Sequence, residues 1–374
     1  MNRSLTQLPM FKSLQTISLQ WHRALGIVMA GVMVMFTLTG MVLLWEQQIQ
    51  PEWAAAYPIT ASGQSLPVSE LLDRIQRQFP DGTIEWLDLP QQRTDPAIAR
   101  LQFGSHPRLD LVIDPHNATV LAQRSPDRAW LHGIHRLHGD FLLGKFGKWL
   151  VGFSGLGLLI ISLTGLWRWT GWRKLASGFR IRWQAKPQAI NYDLHNVSGL
   201  LVLGFLLMIA ITGTFMGLHG PIAKFLPTAP KTLAKVQFSG EKQLPLKQLL
   251  QNAQREFPTA IVTRIHPARS PKNPVKIHMQ LSSALAEPIK LSLNPYSGEI
   301  LQIENPNNLT GMPWVKHWVD RLHTAKYGLI GVAWVYLGLT GLSLVVSVTG
   351  IGIWWVRSQR PVLNKAKATI PTVR

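Results

Sequence analysis

The chain has 374 residues, no cysteine, and a formal charge of +19 from 38 Lys and Arg against 19 Asp and Glu. Only 15% of residues are charged and the mean hydropathy is +0.09, and the basic residues gather in short segments between long apolar runs, so the charge is no nucleic-acid signal. The lack of cysteine excludes zinc–thiolate and iron–sulfur centres, both of which need thiolate ligands.

Residues 1–20 form a basic tail with Arg3 and Lys12, and residues 21–46 hold the first span, uncharged from Ala24 to Trp45. That run is longer than the 7–15 residues or so of a signal-peptide core, and its pattern recurs mid-chain, so it reads as an uncleaved span despite the cleavage-like Ala54-Ala55-Ala56. Residues 50–125 read as a small α+β unit. Leu71, Leu72, Ile75 and Phe79 give a helix one apolar face, Pro80 stops it, and strands follow at 83–89, 97–103, 109–113 and 119–122, with a turn at Asp114-Pro115-His116-Asn117.

Residues 126–170 hold an amphipathic segment and the second span, and residues 171–190 are a basic link with Arg173, Lys174, Arg180, Arg182 and Lys186. The third span occupies 193–219. A second α+β unit at 225–305 has strands at 261–265, 275–281, 289–293 and 299–303, with a turn at Asn294-Pro295-Tyr296-Ser297-Gly298. Residues 312–356 hold an outer segment and the fourth span, and 357–374 a basic tail. A spanning helix needs about 20 apolar residues, and the side richer in Lys and Arg stays in the cytoplasm. The fold class expected is an α-helical membrane protein with four transmembrane helices in a two-fold internal repeat and two small α+β domains outside the membrane.

The repeat is explicit. His22, Gly26, Gly31 and Thr39-Gly40 return as His195, Gly199, Gly204 and Thr212-Gly213, each 173 positions later. His132, His138, Trp149 and Thr164-Gly165 return as His317, His323, Trp334 and Thr349-Gly350, each 185 positions later. Leu71 and Phe79-Pro80 return as Leu249 and Phe257-Pro258. Histidines kept in register at span ends point to paired ligands of a shared metal: His22 with His195 on the cytoplasmic side, and His138 with His323 on the other. His132, His317 and His219 are rival outer ligands. His135 lacks a repeat mate and reads as surface, as do His106, His116, His266 and His278.

The helix from Pro67 to Pro80 with Asp114-Pro115, and that from Pro245 to Pro258 with Asn294-Pro295 and Gly298, resemble the PepSY domain. Trp21-His22-Arg23-Ala24-Leu25-Gly26 with Thr39-Gly40, and Leu137-His138 with Gly147-Lys148-Trp149 and Thr164-Gly165, resemble PepSY-associated transmembrane helices. In the first copy Asn117-Ala118 replaces the usual turn glycine. The resemblance implies an iron-regulated inner-membrane protein akin to haem-binding ferric-siderophore reductases.

Paired imidazoles suit haem iron, copper or zinc, and haem fits the small-residue faces best, with Gly26, Gly31, Gly199 and Gly204 giving a flat macrocycle room; the same glycines also suit helix–helix contact. The expected cofactors are two haem b groups, with His22, His195, His138 and His323 as axial ligands. With no GxGxxG or phosphate loop, the chain carries no flavin or nicotinamide domain, so electrons come from a quinol or a cytoplasmic reductase. The expected partners are the lipid bilayer and a ferric-siderophore substrate, with no nucleic acid. Alternatives are a PepSY anchor that binds peptides or proteins, an iron-chelate transporter, and an electron-transfer subunit with another acceptor. The spans show no evident broken helix, and their uncharged runs from Ala24 to Trp45, Trp149 to Trp167, Asn196 to Leu218 and Tyr327 to Val356 hold no carboxylate, which speaks against transport.

The charge pattern makes a topological prediction. A reporter active only outside the cytoplasm is expected to work when fused after Gln123 or Gln302 and to be silent after Lys174 or at the C-terminus. An active C-terminal fusion contradicts the four-span reading.

Overall fold

The computed structural model describes residues 9–59, 64–104, 108–126, 129–172, 174–223, 236, 242–281, 287–326 and 330–368. His106 and Arg173 lie outside the described residues. The chain divides into two compact units, one of helices from residues 1–46, 133–227 and 318–374 and one of residues 47–132 and 228–317.

In the helical unit, four helices among the described residues are long and apolar enough to cross a membrane, at Thr16–Glu46, Gly144–Trp167, Leu203–Gly220 and Gly331–Gln359. The first lies within α1 (Pro9–Ala55), which overruns both ends of the expected 21–46. The short helix α3 (Ala129–Asp140) precedes α4 (Gly144–Trp167). Phe141, Leu142 and Gly144 take positive φ between them, and a Cβ on Gly147 would strike the Asp140 carbonyl, so α3 folds closely onto the start of α4. His138 therefore sits on a separate short helix and not on an extended span.

After the four-residue α5 (Leu175–Gly178), the expected third span is two helices, α6 (Pro187–Leu201) and α7 (Leu203–Ala223), where the sequence suggested no break. Val202 at the junction has φ −96° and ψ 1°. The cause is local. Ser198 Oγ bonds back to the Leu194 carbonyl at 2.5 Å, and Gly199 and Gly204 flank the junction with low helix propensity. Backbone bonds continue across the junction, Val202 N–H to the Ser198 carbonyl at 3.0 Å and Leu206 N–H to the Val202 carbonyl at 2.8 Å.

Span packing uses a second set of glycines. Gly152 abuts Leu218, Gly155 abuts Thr214, and Gly217 abuts Gly152, so α4 and α7 meet backbone to backbone. Helix α6 docks on α10 (Ile330–Ala368) through Asn191 Nδ2, which donates to the Thr349 carbonyl at 2.9 Å. The basic link is tied down where Arg182 grips the buried Asp193 through two bonds of 2.8 Å, which holds that carboxyl below its usual range.

The second unit holds α2 (Val68–Gln78), β1 (Gly82–Asp88), β2 (Ala97–Phe103), β3 (Arg108–Ile113), β4 (Val120–Arg124), then α8 (Leu246–Glu256), β5 (Ile261–His266), β6 (Val275–Gln280), β7 (Ile289–Leu293) and β8 (Ile300–Glu304). The helices lay Leu71, Ile75, Leu249 and Ala253 on the inward residues of the strands. Both hairpin turns begin with a side chain that accepts from the backbone two residues on, Asp114 from His116 N–H and Asn294 from Tyr296 N–H, each at 2.9 Å. The left-handed position in them falls to Ala118 (φ 66°) and Gly298 (φ 73°). A Cβ on Gly298 would come within 2.6 Å of Asn252, while in the first copy a buried alanine accepts the strained conformation.

The α+β segments do not stand as two separate sheets. They form one eight-stranded sheet in the order β4-β3-β2-β1-β5-β6-β7-β8. The seam pairs Leu87 with Ile265 and Asp88 with Arg264, whose side chains form a two-pronged ion pair. Val68 and Leu89 pack against both apolar cores, so the seam is hydrophobic beneath and ionic above. Trp86 lies between the Arg264 and Arg100 guanidiniums, at 4.2 and 4.9 Å.

On the polar face beside the seam, His266 and His278 stand 5.0 Å apart, with Arg264, Arg269, Lys276 and Lys290 around them. Burial first, and then His266 and the neighbouring cations, push His278 down to about 3. The unfolded chain therefore takes up a proton below about pH 6.5 that the folded sheet refuses, so stability is lost as pH falls from about 6.5 toward 3. Hydrogen exchange of β5–β7, corrected for intrinsic rates, is expected to quicken between pH 6.5 and 4 in the wild type and to do so less in His278→Gln. Equal pH responses would remove His278 as the cause.

Candidate functional site

Four histidines of the helical unit share one local arrangement. His22 Nδ1 lies 3.0 Å from Thr164 Oγ1, and His138 Nδ1 lies 2.8 Å from Thr39 Oγ1. His323 Nδ1 lies 2.9 Å from Thr212 Oγ1, and His195 Nδ1 lies 3.2 Å from Thr349 Oγ1 and 3.0 Å from the Val346 carbonyl. Each threonine is followed by a glycine. A Cβ at Gly40, Gly165 or Gly350 would come within 3.3 Å of the imidazole Cε1, and one at Gly213 within 3.5 Å. The ring thus lies against bare backbone while its Nδ1 meets the hydroxyl.

The threonines settle the tautomer. Each hydroxyl reaches the carbonyl four residues earlier: Thr39 to Met35, Thr164 to Ile160 and Thr212 to Met208 at 2.8 Å, and Thr349 to Val345 at 2.6 Å. A carbonyl only accepts, so the single hydroxyl proton is used there, and Oγ1 must accept from an imidazole Nδ1–H. Nε2 then carries the lone pair, and no hydrogen bond to Nε2 occurs at any of the four rings among the described residues. A neutral imidazole with Nδ1–H anchored and Nε2 free is the form that ligates a metal.

The clasps are reciprocal. His22 of α1 is held by α4, while His138, on the helix leading into α4, is held by α1. His195 of α6 is held by α10, while His323 of α9 (Gly311–Thr324), which leads into α10, is held by α7. Across the two halves the rings meet at two levels. His138 and His323 have ring centroids 6.2 Å apart and planes at 68°, with Phe36 edge-on to His138. His22 and His195 line one cavity of about 520 Å³, whose wall includes Gly26, Gly199, Met29, Met33 and Leu158. The levels are marked on α1 by His22 and Thr39, about 25 Å of helix rise apart.

Of the expected glycines, Gly26 and Gly199 line that cavity, while Gly31 and Gly204 do not. A Cβ on any of the four would meet nothing within 4 Å, so none of them serves the helix contacts that Gly152, Gly155 and Gly217 make. His132 is exposed on α3, His317 pairs with Glu287 at 3.5 Å, and His219 stacks on Phe215 at 4.9 Å. The sequence reading missed the threonines as partners, although four Thr-Gly pairs and four histidines recur together in the repeat.

Residues 19–357 match the family described as the PepSY-associated TM region. Among solved structures, a crystallised protein described as a lipoprotein of Clostridium difficile 630 is similar at 9% identity over 66% of this chain and 98% of that one, with a TM-score of 0.28, too low to carry an argument. No curated protein matches the chain.

The clasp predicts a spectroscopic signature. Nitrogen NMR of histidine-labelled protein is expected to show Nδ1-protonated neutral rings at His22, His138, His195 and His323. Thr39→Val, which keeps the side-chain shape but removes the acceptor, is expected to shift only His138 toward the other tautomer and to cost about 1 kcal/mol of stability. An unchanged His138 signal would show that Thr39 does not set its proton.

Proposed function

The chain belongs to the PepSY-associated TM family, and we propose that it is a haem-carrying electron conduit of the bacterial inner membrane that reduces ferric chelates on the periplasmic side for iron uptake. The observation that carries this reading is the two levels of paired imidazoles, each with a free Nε2, set about 25 Å apart in a fold that spans a core about 30 Å thick.

The donor set suits haem. Each level offers a pair of imidazoles, a donor set that haem iron would accept. His138 and His323, with ring centroids 6.2 Å apart, would hold the group at one level. At the other level, the open faces of Gly26 and Gly199 leave a flat ligand room beside His22 and His195.

Haem b bound at these levels supplies one-electron iron chemistry, at a potential set by its axial ligands and burial. The chain's residues do the rest. Thr39, Thr164, Thr212 and Thr349 hold the imidazoles in the ligating tautomer, and Met29, Met33 and Leu158 exclude water from the inner cavity. The basic tails and link support a cytoplasmic His22 level, which would face a quinol or a cytoplasmic reductase, with the His138 level toward the acceptor. Each ferric ion of the chelate consumes one electron, and the ferrous product is held less tightly by its chelator.

Pyridine haemochrome assay of the purified chain is expected to give two haems. His22→Ala and His195→Ala are each expected to leave one, and the same one. His138→Ala is expected to abolish ferric-chelate reduction while the cytoplasmic-side haem stays reducible, and His135→Ala to match the unaltered protein. A wild-type chain without a Soret band would overturn the proposal in favour of a partner-binding anchor.

A further inference from the structure

The cavity at the His22 level is apolar along its walls and cationic at one end. Arg23, Arg168 and Arg357 line it, and no Asp or Glu does among the described residues. Their placement follows from the helices. Arg23 adjoins His22 at the N-terminal side of α1. Arg168 caps α4, four residues past the Thr164 that clasps His22, and Arg357 lies on α10, eight residues past the Thr349 that clasps His195. One and two helical turns put the backbones of these two arginines about 6 and 12 Å beyond the clasping threonines in helix rise, on the side where α1 begins and α4 ends. The carboxylate nearby in sequence, Asp193, is held by Arg182 of the basic link.

A mainly apolar cavity whose lining carries two imidazoles and three guanidiniums suits an amphiphilic dianion, with a flat apolar body beside the rings and two acidic groups at one edge. We propose that Arg23, Arg168 and Arg357 form a carboxylate-binding rim that receives the two acidic side arms of the ligand held by His22 and His195 and so fixes its orientation, acidic edge toward the cytoplasm. The inference rests on the haem reading and adds to it the way the ligand faces and the residues that select it. Guanidinium suits the task because its planar fork binds a carboxylate through two parallel bonds, and because it keeps its charge at a membrane boundary. The facing Trp169 and Trp354 give the rim an interfacial aromatic lining.

The test uses full-length protein from a haem-starved host, both unaltered and with His138→Ala and His323→Ala so that only the inner level is read. Each is titrated with haem and with haem dimethyl ester, which keeps the macrocycle and loses both charges, and the Soret band is followed. Haem is expected to bind the inner level about tenfold or more tightly than the ester, the size of one or two charge-assisted bonds. Combined Arg23→Gln, Arg168→Gln and Arg357→Gln is expected to bring haem affinity down to that of the ester and leave the ester unchanged, while Lys at the same positions keeps much of the preference. Equal binding of the two ligands by unaltered rim residues, or a preference that survives the Gln triple, overturns the rim. Failure of both ligands to bind the unaltered chain overturns the haem reading instead. A preference abolished by added anionic phospholipid assigns the rim to lipid headgroups and also overturns it.

Discussion

An imidazole N–H carried into a membrane protein must find an acceptor, because leaving it unpaired costs about 1–3 kcal/mol. Here each acceptor is a threonine hydroxyl whose own proton is already given to the helix backbone, and each lies in a different helix from its histidine. That one bond does three things together. It pins two helices, it chooses the Nδ1–H tautomer, and it leaves Nε2 available. Glycine after each threonine lets the ring lie close to the backbone; a Cβ would press on it at Gly40, Gly165 and Gly350 and just touch it at Gly213. The arrangement of the membrane unit depends on these four clasps.

The glycines divide by task. Gly152, Gly155 and Gly217 let α4 and α7 approach until their backbones touch, which fixes that helix pair. Gly26, Gly31, Gly199 and Gly204 face open space, and Gly26 and Gly199 border the His22 cavity. Gly31 and Gly204 are exposed on the helical unit, where glycine costs roughly 1 kcal/mol of helix stability against alanine.

The α+β segments show the same economy. Each has one helix over four strands, a layer that covers one sheet face and leaves its edges unprotected. Joining β1 to β5 removes two of those edges, and the Asp88–Arg264 pair with Trp86 between two guanidiniums reinforces the seam. Each segment alone reads as a complete small fold. What the periodicity does not carry is the pairing of strands across 176 residues of intervening chain, since alternation reports which face of a strand is buried and not which edge finds a neighbour.

Local chemistry was enough to identify the spans, the helix and strands of each half, the repeat-matched histidines and the Thr-Gly marks of the repeat, since apolar length, alternation and turn residues act over a few neighbours. The bend at Val202 was hidden because Ser198, Gly199 and Gly204 are also ordinary residues of a straight span. Tertiary structure decided which threonine holds which histidine. Those partners lie 99 to 154 residues apart and meet only when the helices pack. A hydrogen bond needs its donor and acceptor within about 3 Å, and no pattern along one helix states where another helix will lie.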